Sequence, residues 1–438
     1  MTKAFLLFPL LWLSNTLGAQ TKPSYAFDFG AGKTKKNWLP ISPQTIYSDK
    51  QTYGFDFGTL PQFVNSGRGK ALKQDAVSSN APFYFSVKLP EGNYKVTAYL
   101  GSRTDASNTT VKAESRRLML QNCATKPGQF KKETFIVNIK DRKINDQESV
   151  ALKPREYNKL DWDDKLTLEF DGNTILYALT IAPAEDQVTV FLAGNSTVVN
   201  QDEEPWASWG QMIPVFFKPG VAIANHAESG LTLGSFLGSR RLNKILSVAK
   251  PGDYLFIEFG HNDQKEKGPN DGAYKSYTER LKLFVQKFRE KGGYPVILTS
   301  TSRRAFDDNG ELLFTLGDYP DAARKVAKEL EVPLIDLNVY TKKFYKALGV
   351  EGSKKAFVHY PANSFPGQTT ALADNTHFSP YGAYEISKIV ASEIERQQLP
   401  LNKFLKNKIF FDPAKPDSLD SWTWLASPRA DFLKPDGN

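Results

Sequence analysis

The chain has 438 residues, of which 40% are hydrophobic and 24% are charged. This composition predicts a soluble globular protein of two or three domains and excludes collagen, coiled-coil and disordered classes. The single cysteine, Cys123, excludes an intramolecular disulfide framework and a zinc site built from several thiolates.

The first residues have the pattern of a secretory signal peptide. Lys3 precedes an apolar run over residues 4–13, and small and polar residues then lead to Ala19. We expect residues 1–19 to be a signal peptide cleaved before Gln20, and the protein to be secreted or periplasmic. No cysteine lies near the cleavage site to carry a lipid. No apolar run reaches the roughly 18 residues that span a bilayer, so we expect no integral membrane segment.

Residues 20–184 have the sequence pattern of an all-β domain. Short β-rich runs fall at residues 25–29, 83–89, 94–100, 134–139 and 166–170, and turn-forming segments such as residues 90–93 and 171–173 separate them. Several short strands at this spacing predict a β-sandwich.

Residues 187–400 alternate between strand and helix patterns. Strand-like runs occur at residues 188–193, 221–224, 254–259, 296–299 and 334–337, and helical patterns at residues 207–217, 233–248, 277–291, 321–330 and 381–397. This alternation predicts a parallel sheet with helices on both faces, in which ligands bind beyond the carboxyl ends of the strands. We expect residues 401–438 to pack on the surface as an extended C-terminal segment.

Polar or small residues follow three of these strands at the predicted functional edge. Ser196 lies directly after the first strand, where it is either a nucleophile or the cap of the next helix. Gly230 follows the second strand, where it brings a backbone N–H close to a ligand or simply makes a turn. Asn262 follows the third strand, either as a donor to an oxyanion or in an Asx-turn.

A fourth candidate segment precedes the last helical pattern. Asp374 and His377 are three residues apart, in a turn or a helical start that places both on one side. The carboxylate would then fix the imidazole tautomer and support its charge when it accepts a proton. The chain has only four histidines, and His226, His261 and His377 all lie in these candidate segments.

Four other residues are candidates for contacts with substrate. Trp206 and Trp209 either line the site as platforms for sugar rings or pack on the sheet. Arg303 and Arg304 follow the fourth strand, where they either meet a substrate carboxylate or form surface ion pairs.

In order along the chain, these segments resemble the conserved blocks of the SGNH (GDSL-like) hydrolases. The resemblance covers residues 188–398 and rests on Gly194-Asn195-Ser196-Thr197, residues 206–211, Gly260-His261-Asn262-Asp263 and residues 374–379. Within that superfamily the chain looks like the rhamnogalacturonan acetylesterases of carbohydrate esterase family 12. The resemblance implies a flavodoxin-like three-layer α/β/α catalytic domain after a galactose-binding-like β-sandwich.

The resemblance also implies a role for each candidate residue. Ser196 matches the nucleophile, and Asp374 and His377 match the acid and the base of the triad. The backbone N–H groups of Ser196 and Gly230 and the side-chain amide of Asn262 match the oxyanion hole. One departure is Asn195, which replaces the usual aspartate of Gly-Asp-Ser and alters the hydrogen bonding at the nucleophile turn.

We therefore expect an exported serine esterase that removes acetyl groups from a pectic polysaccharide, rhamnogalacturonan, without a metal or an organic cofactor. The motifs of metalloproteases, P-loop proteins and α/β-hydrolases are missing from the sequence. The alternatives are an acetylesterase for xylan or another glycan, an esterase for lipid or thioester acyl chains, and a non-catalytic glycan-binding protein. The sandwich is expected either to bind sugar or to support the catalytic domain.

Overall fold

The computed structural model describes residues 22–30, 32, 34–65, 71–428 and 436. The predicted signal peptide, residues 1–19, and the end of the predicted C-terminal segment lie outside the described residues. Within them, no helix combines the length and the apolar character needed to cross a bilayer.

The N-terminal part is β-rich, as the alternating pattern predicts. Its strands are β1 (Tyr25–Phe29), β2 (Leu39–Ile41), β3 (Tyr53–Asp56), β4 (Gln62–Asn65), β5 (Asp75–Ser79), β6 (Phe83–Lys88), β7 (Gly92–Leu100), β8 (Ser107–Ala113), β9 (Arg117–Thr125), β10 (Lys131–Ile139) and β11 (Lys165–Pro183).

The long strand β11 joins the two parts of this β-rich region. Its first half pairs with β6 and β8, and its second half pairs with β1, β5 and β7. Phenylalanine side chains from several strands meet between the layers, among them Phe27, Phe29, Phe55 and Phe85. Their rings pack edge to face at centroid distances of 5.1 to 6.1 Å.

The C-terminal part contains a parallel sheet and most of the helices. Its strands are β12 (Val188–Gly194), β13 (Val221–Asn225), β14 (Tyr254–Glu258), β15 (Tyr294–Leu298), β16 (Leu334–Ile335), β17 (Phe357–Tyr360) and β18 (Leu372–Phe378). Its helices are α1 (Trp209–Met212), α2 (Leu233–Gly238), α3 (Arg241–Val248), α4 (Thr278–Glu290), α5 (Tyr319–Glu329), α6 (Leu337–Gly352) and α7 (Pro380–Arg396).

The parallel sheet has the strand order β13-β12-β14-β15-β16. Successive residues of its strands face opposite cores, since Leu192 and Phe256 pack with α1, α6 and α7 while Phe191 and Leu255 pack with α2 to α5. The predicted fold class, an all-β part followed by a three-layer α/β/α domain with the flavodoxin-like order, is confirmed. The topological switch point lies between β12 and β14, where this architecture binds its ligands.

Two predicted helices are shorter than their patterns suggest. The helix expected over residues 207–217 is α-helical only from Trp209 to Met212 and continues as a 3₁₀ turn, because Pro214 lacks the N–H that a longer α-helix needs. The helix expected over residues 233–248 is divided into α2 and α3. Gly238 ends α2, and Arg240 follows in a left-handed conformation with a φ of 62°.

One helix and a pair of strands between residues 337 and 378 were not predicted from the sequence. The run at residues 334–337 was expected to be one strand, but the Asp336 side chain accepts a hydrogen bond from the Val339 N–H and thereby starts α6. The antiparallel pair β17 and β18 follows. The predicted turn or helical start that carries Asp374 and His377 is therefore wrong, because both residues lie on β18.

The described part of the C-terminal segment contacts both halves of the protein. Leu405 forms an isolated bridge with Phe217 of the catalytic half. The Trp424 Nε1–H donates to Glu204 at 3.0 Å, and the Ser427 hydroxyl donates to Glu169 of β11 at 2.8 Å. The segment thus spans the junction between the β-rich part and the α/β part.

Candidate active site

A tight turn after β12 presents Ser196. The Asn195 carbonyl accepts from the N–H groups of Val198 and Val199 at 3.0 Å each, and its side-chain oxygen accepts from Thr197. A Cβ at Gly194 would lie 2.4 Å from the Val198 side chain, so the chain can turn here only at glycine. The alternative of Ser196 as a helix cap is wrong, because the cap of α1 is Ser208.

A buried carboxyl group lies beneath this turn at the end of β14. Glu258 accepts hydrogen bonds from the Thr197 hydroxyl at 3.0 Å, the Trp209 indole at 2.5 Å and the Thr301 N–H at 3.3 Å. Burial raises the pKa of Glu258 to about 7, although these three bonds oppose the rise. Glu258 was not a candidate from the sequence, because a single glutamate at the end of a strand forms no recognisable motif.

Burial decides between the two roles predicted for the tryptophans. Trp206 and Trp209 are each only 1% exposed. Trp209 packs in the core on the α1, α6 and α7 face, with its indole on Glu258. The predicted packing role is therefore correct for Trp209, and neither residue offers a ring face to a substrate.

Strand β18 carries Asp374 and His377, the predicted acid and base, on a bulge. Phe378 pairs with Phe357 and Asp374 pairs with Val358, so residues 375–377 have no counterpart on β17. A bulge of this kind turns side chains away from the regular alternation of a strand. It brings the Asp374 and His377 side chains to the same side, although both residues belong to one strand.

Ser196, His377 and Asp374 form a continuous hydrogen-bonded chain. The His377 Nε2 lies 2.9 Å from the Ser196 Oγ, and the His377 Nδ1 lies 2.7 Å from the Asp374 Oδ2. All three residues are buried. Burial raises the pKa of the Asp374 carboxyl, but hydrogen bonds from the His377 ring and from the N–H groups of His377 and Thr376 outweigh burial and hold this pKa below its usual range. A charged Asp374 fixes the proton of the imidazole on Nδ1 and leaves Nε2 free to accept the proton of Ser196.

The two other predicted site residues lie on neighbouring loops that contact each other. Gly230 has a φ of 76°, and a Cβ there would approach the Lys153 Nζ to 3.0 Å. The Asn262 amide donates to the Leu231 carbonyl at 3.2 Å, and the Lys265 ammonium donates to the Asn262 Oδ1 at 3.3 Å. These bonds orient the Asn262 amide by tertiary contacts rather than by the Asx-turn considered as the alternative.

Replacing Asn262 by alanine should lower kcat for ester hydrolysis by about 10²–10³-fold and change KM little, because an oxyanion donor acts mainly in the transition state. Steady-state hydrolysis of 4-nitrophenyl acetate measures both constants. Gln264→Ala is the matched control, since this nearby amide donates to the His261 carbonyl. A loss below tenfold in Asn262→Ala would exclude the oxyanion role.

Arg303 and Arg304 both donate hydrogen bonds to loops of the protein. Arg303 donates to the carbonyls of Thr315 and His261, and Arg304 donates to Ser353, Val350 and the Asn375 side chain. Neither forms an ion pair with a carboxylate among the residues that the structure describes. The predicted surface ion pair is therefore not formed among the described residues, and the substrate contact stays a prediction. Arg304 in addition fixes the bulge of β18 through Asn375.

Arg116 of the β-rich half contacts the loop that follows β12 (residues 195–207, here called the nucleophile loop after the predicted role of Ser196), and the sequence alone does not predict this contact. The Gln201 amide donates to the Ser196 carbonyl at 2.9 Å. Arg116, at the tip between β8 and β9, donates to the carbonyls of Gln201 and Trp206 at 3.1 and 3.0 Å and pairs with Glu204 at 2.6 Å. No local motif marks Arg116, since its partners lie about ninety positions away along the chain.

This fold and this arrangement of side chains define a class of hydrolase. A serine after the first strand at the switch point, with a histidine and an aspartate just before the last helix, is the arrangement of the SGNH enzymes. The chain matches the GDSL-like Lipase/Acylhydrolase family over residues 192–383, and the galactose-binding domain-like family of β-agarase and YXIM esterase-like proteins over residues 25–147.

Two curated relatives, both from Bacillus subtilis (strain 168), support that class. Rhamnogalacturonan acetylesterase RhgT is 46% identical over 223 residues, which are 50% of this chain and 95% of the relative. The uncharacterized esterase YxiM is 26% identical over 400 residues, which are 88% of this chain and 94% of the relative. A crystal structure of the YXIM protein of Bacillus subtilis covers 86% of this chain and 99% of its own at 25% identity, with a TM-score of 0.45.

The chain belongs to the GDSL-like lipase/acylhydrolase family and carries an N-terminal galactose-binding-like domain. It is a carboxylic ester hydrolase. The alternative of a non-catalytic glycan-binding protein is thereby set aside.

Proposed function

We propose that the protein is an exported acetylesterase that removes O-acetyl groups from a pectic polysaccharide, rhamnogalacturonan, through an acyl-enzyme on Ser196. The contact that carries this proposal is the 2.9 Å distance from the His377 Nε2 to the Ser196 Oγ, with Asp374 behind the ring. The identity to a relative named rhamnogalacturonan acetylesterase supports the substrate. The signal-peptide pattern of residues 1–19 supports the export.

The first half of the reaction transfers the acetyl group to the enzyme. The Ser196 Oγ attacks the acetyl carbonyl carbon while its proton passes to the His377 Nε2. Negative charge then develops on the carbonyl oxygen, and the N–H groups of Ser196 and Gly230 and the Asn262 amide receive it. The bond between the acetyl carbon and the sugar oxygen breaks, and His377 gives its proton to the departing sugar hydroxyl.

The second half releases acetate. Water attacks the acetyl carbon on Ser196 and loses a proton to the His377 Nε2. The bond to the Ser196 Oγ breaks, this oxygen takes the proton from His377, and acetic acid leaves and ionises to acetate in solution. Asp374 stays ionised throughout, because its hydrogen bonds hold its pKa below the usual range, and it stabilises the imidazolium in both halves.

Acetate release from acetylated rhamnogalacturonan, compared with acetylated xylan and with 4-nitrophenyl esters of increasing chain length, tests the function. The wild type should release acetate fastest from rhamnogalacturonan, and Ser196→Ala should release none above background. Ser247→Ala, a serine replaced on the exposed face of α3, should behave as the wild type.

Each other outcome has a distinct meaning. Faster release from xylan would replace the pectic substrate with xylan. A preference for long acyl chains would replace the acetylesterase with a lipase. Release that survives in Ser196→Ala would exclude this serine as the nucleophile.

A further inference from the structure

A polar cavity of about 680 Å³ lies where the β-rich half meets the catalytic half. This volume falls within the roughly 300–1,000 Å³ of small-molecule sites. The β-rich half contributes most of the wall, and Asp202 and Glu203 of the nucleophile loop and Pro428 of the C-terminal segment complete it. Neither half forms the cavity alone.

The wall of this cavity is bonded to both loops of the catalytic site. Lys159, which lines the cavity, lies with its Nζ 2.8 Å from the Glu228 Oε2 and 3.4 Å from the Asp202 Oδ1. Glu228 is two residues before Gly230, and Asp202 is six residues after Ser196. The cavity therefore adjoins the loops on which the predicted nucleophile and oxyanion donor lie.

Carboxyl, hydroxyl and cationic side chains belong to the residues that line the interior, among them Glu114, Ser115, Asp163 and Lys165. Burial raises the pKa of the Asp163 carboxyl to about 7 and that of Glu114 well above its usual range. Protonated carboxyl groups donate hydrogen bonds as well as accept them.

The rim adds aromatic and amide groups. Tyr157 is 61% exposed, and the neighbouring Asn158 is also exposed. Sugar hydroxyls both donate and accept hydrogen bonds, and the C–H face of a pyranose ring is apolar. A cavity with mixed donors and acceptors inside and an aromatic ring at its mouth offers both kinds of contact.

We propose that this cavity binds a pyranose residue of the polysaccharide chain, next to the residue that carries the acetyl group. The inference rests on the proposed function, since it assigns the cavity to the same substrate. It gives the β-rich half a direct part in substrate recognition. A lipid acyl chain does not suit the cavity, because charged and polar residues form most of its wall.

Binding of de-esterified rhamnogalacturonan oligosaccharide, measured by titration calorimetry, tests the proposal without turnover. The full-length Ser196→Ala protein is the reference. Two test proteins carry, in addition to Ser196→Ala, either Tyr157→Ala or Asn158→Ala. Loss of the Tyr157 ring should raise Kd roughly fivefold to tenfold. We expect Tyr157→Ala to leave this turn folded, because the neighbouring Glu156 fixes the turn through its hydrogen bond with Arg241.

Tyr294→Ala is the matched control. Tyr294 is 55% exposed and begins β15, at the end of the sheet opposite to the catalytic edge. Its replacement should leave Kd at the reference value. An equal rise in Kd for Tyr157→Ala and Tyr294→Ala, no rise in Tyr157→Ala and Asn158→Ala, or no binding by the reference protein would overturn the proposal.

Acetate release by the wild type, measured in parallel, separates this inference from the proposed function. If the wild type releases acetate from the polymer but oligosaccharide binding does not depend on Tyr157, the proposed esterase function stands and the proposed sugar site in the cavity is rejected. Binding that depends on Tyr157 without acetate release would reject the proposed reaction on this polymer and retain the sugar site.

Discussion

Replacing His377 by alanine should lower kcat for hydrolysis of 4-nitrophenyl acetate by about 10⁶-fold, and adding Ser196→Ala should cost almost nothing more. The reason is the chain of hydrogen bonds in which the His377 Nε2 contacts the Ser196 Oγ. Without its base, the serine hydroxyl is a poor nucleophile, so either loss disables the same step. Single-turnover and steady-state rates of the two single variants and the double variant measure this non-additivity.

Asp374→Asn should lower kcat by about 10⁴-fold, which is less than His377→Ala, because the serine and the histidine both remain. Only the orientation of the imidazole ring and the support of its charge are lost. His359→Ala is the control. Its ring lies on the neighbouring strand β17 and contacts the Asn375 side chain at 2.8 Å, so we expect a loss below tenfold. Losses that simply multiply in the Ser196 and His377 double variant would show that the two residues do not act in one step.

The candidate triad was predictable because its residues lie in local motifs. The alternation of strands and helices predicts the parallel sheet, and this architecture places Ser196, Gly230 and Asn262 at one edge. The distance from Ser196 to His377 depends on the bulge of β18. The sequence does not reveal this bulge, because residues 374–380 resemble a turn before a helix.

The supporting groups were not predictable, because they depend on contacts distant in sequence. Glu258 becomes distinctive only when the Trp209 indole and the Thr197 hydroxyl meet it. Arg303 and Arg304 look like substrate ligands by position, and only the tertiary structure shows that backbone carbonyls and neutral side chains occupy them. The contact between the nucleophile loop and the β-rich half could not be predicted either, because it forms only when two segments that are distant in sequence pack together.

Arg116 is the residue through which that docking reaches the nucleophile. Its guanidinium is 3% exposed and pairs with Glu204, which is 5% exposed. It also holds the carbonyls of Gln201 and Trp206, and Gln201 in turn holds the Ser196 carbonyl. Arg116 adopts a left-handed φ of 60° at the tip of the β8–β9 hairpin.

Arg116→Gln should lower the free energy of unfolding by about 3–5 kcal/mol, because it leaves the buried Glu204 without its cationic partner, although the Trp424 indole and the Ser427 N–H still donate to it. It should also lower kcat for 4-nitrophenyl acetate by about tenfold or more with little change in KM, since the nucleophile loop loses its support while the ester still binds. Denaturant unfolding and steady-state kinetics below the unfolding transition measure the two effects separately.

Two further variants distinguish positioning from simple loss of stability. Arg116→Lys keeps the charge opposite Glu204 but cannot reproduce the forked contacts, so it should recover much of the stability and only part of kcat. Arg103→Gln, an exposed arginine of the same β-rich half, should change the free energy of unfolding by less than about 0.5 kcal/mol and leave kcat unchanged. If Arg116→Gln is destabilised but retains the wild-type kcat, Arg116 joins the two halves without positioning Ser196. If it retains both stability and kcat, the β-rich half is an independent module for catalysis, and its contact with the nucleophile loop has no part in the reaction.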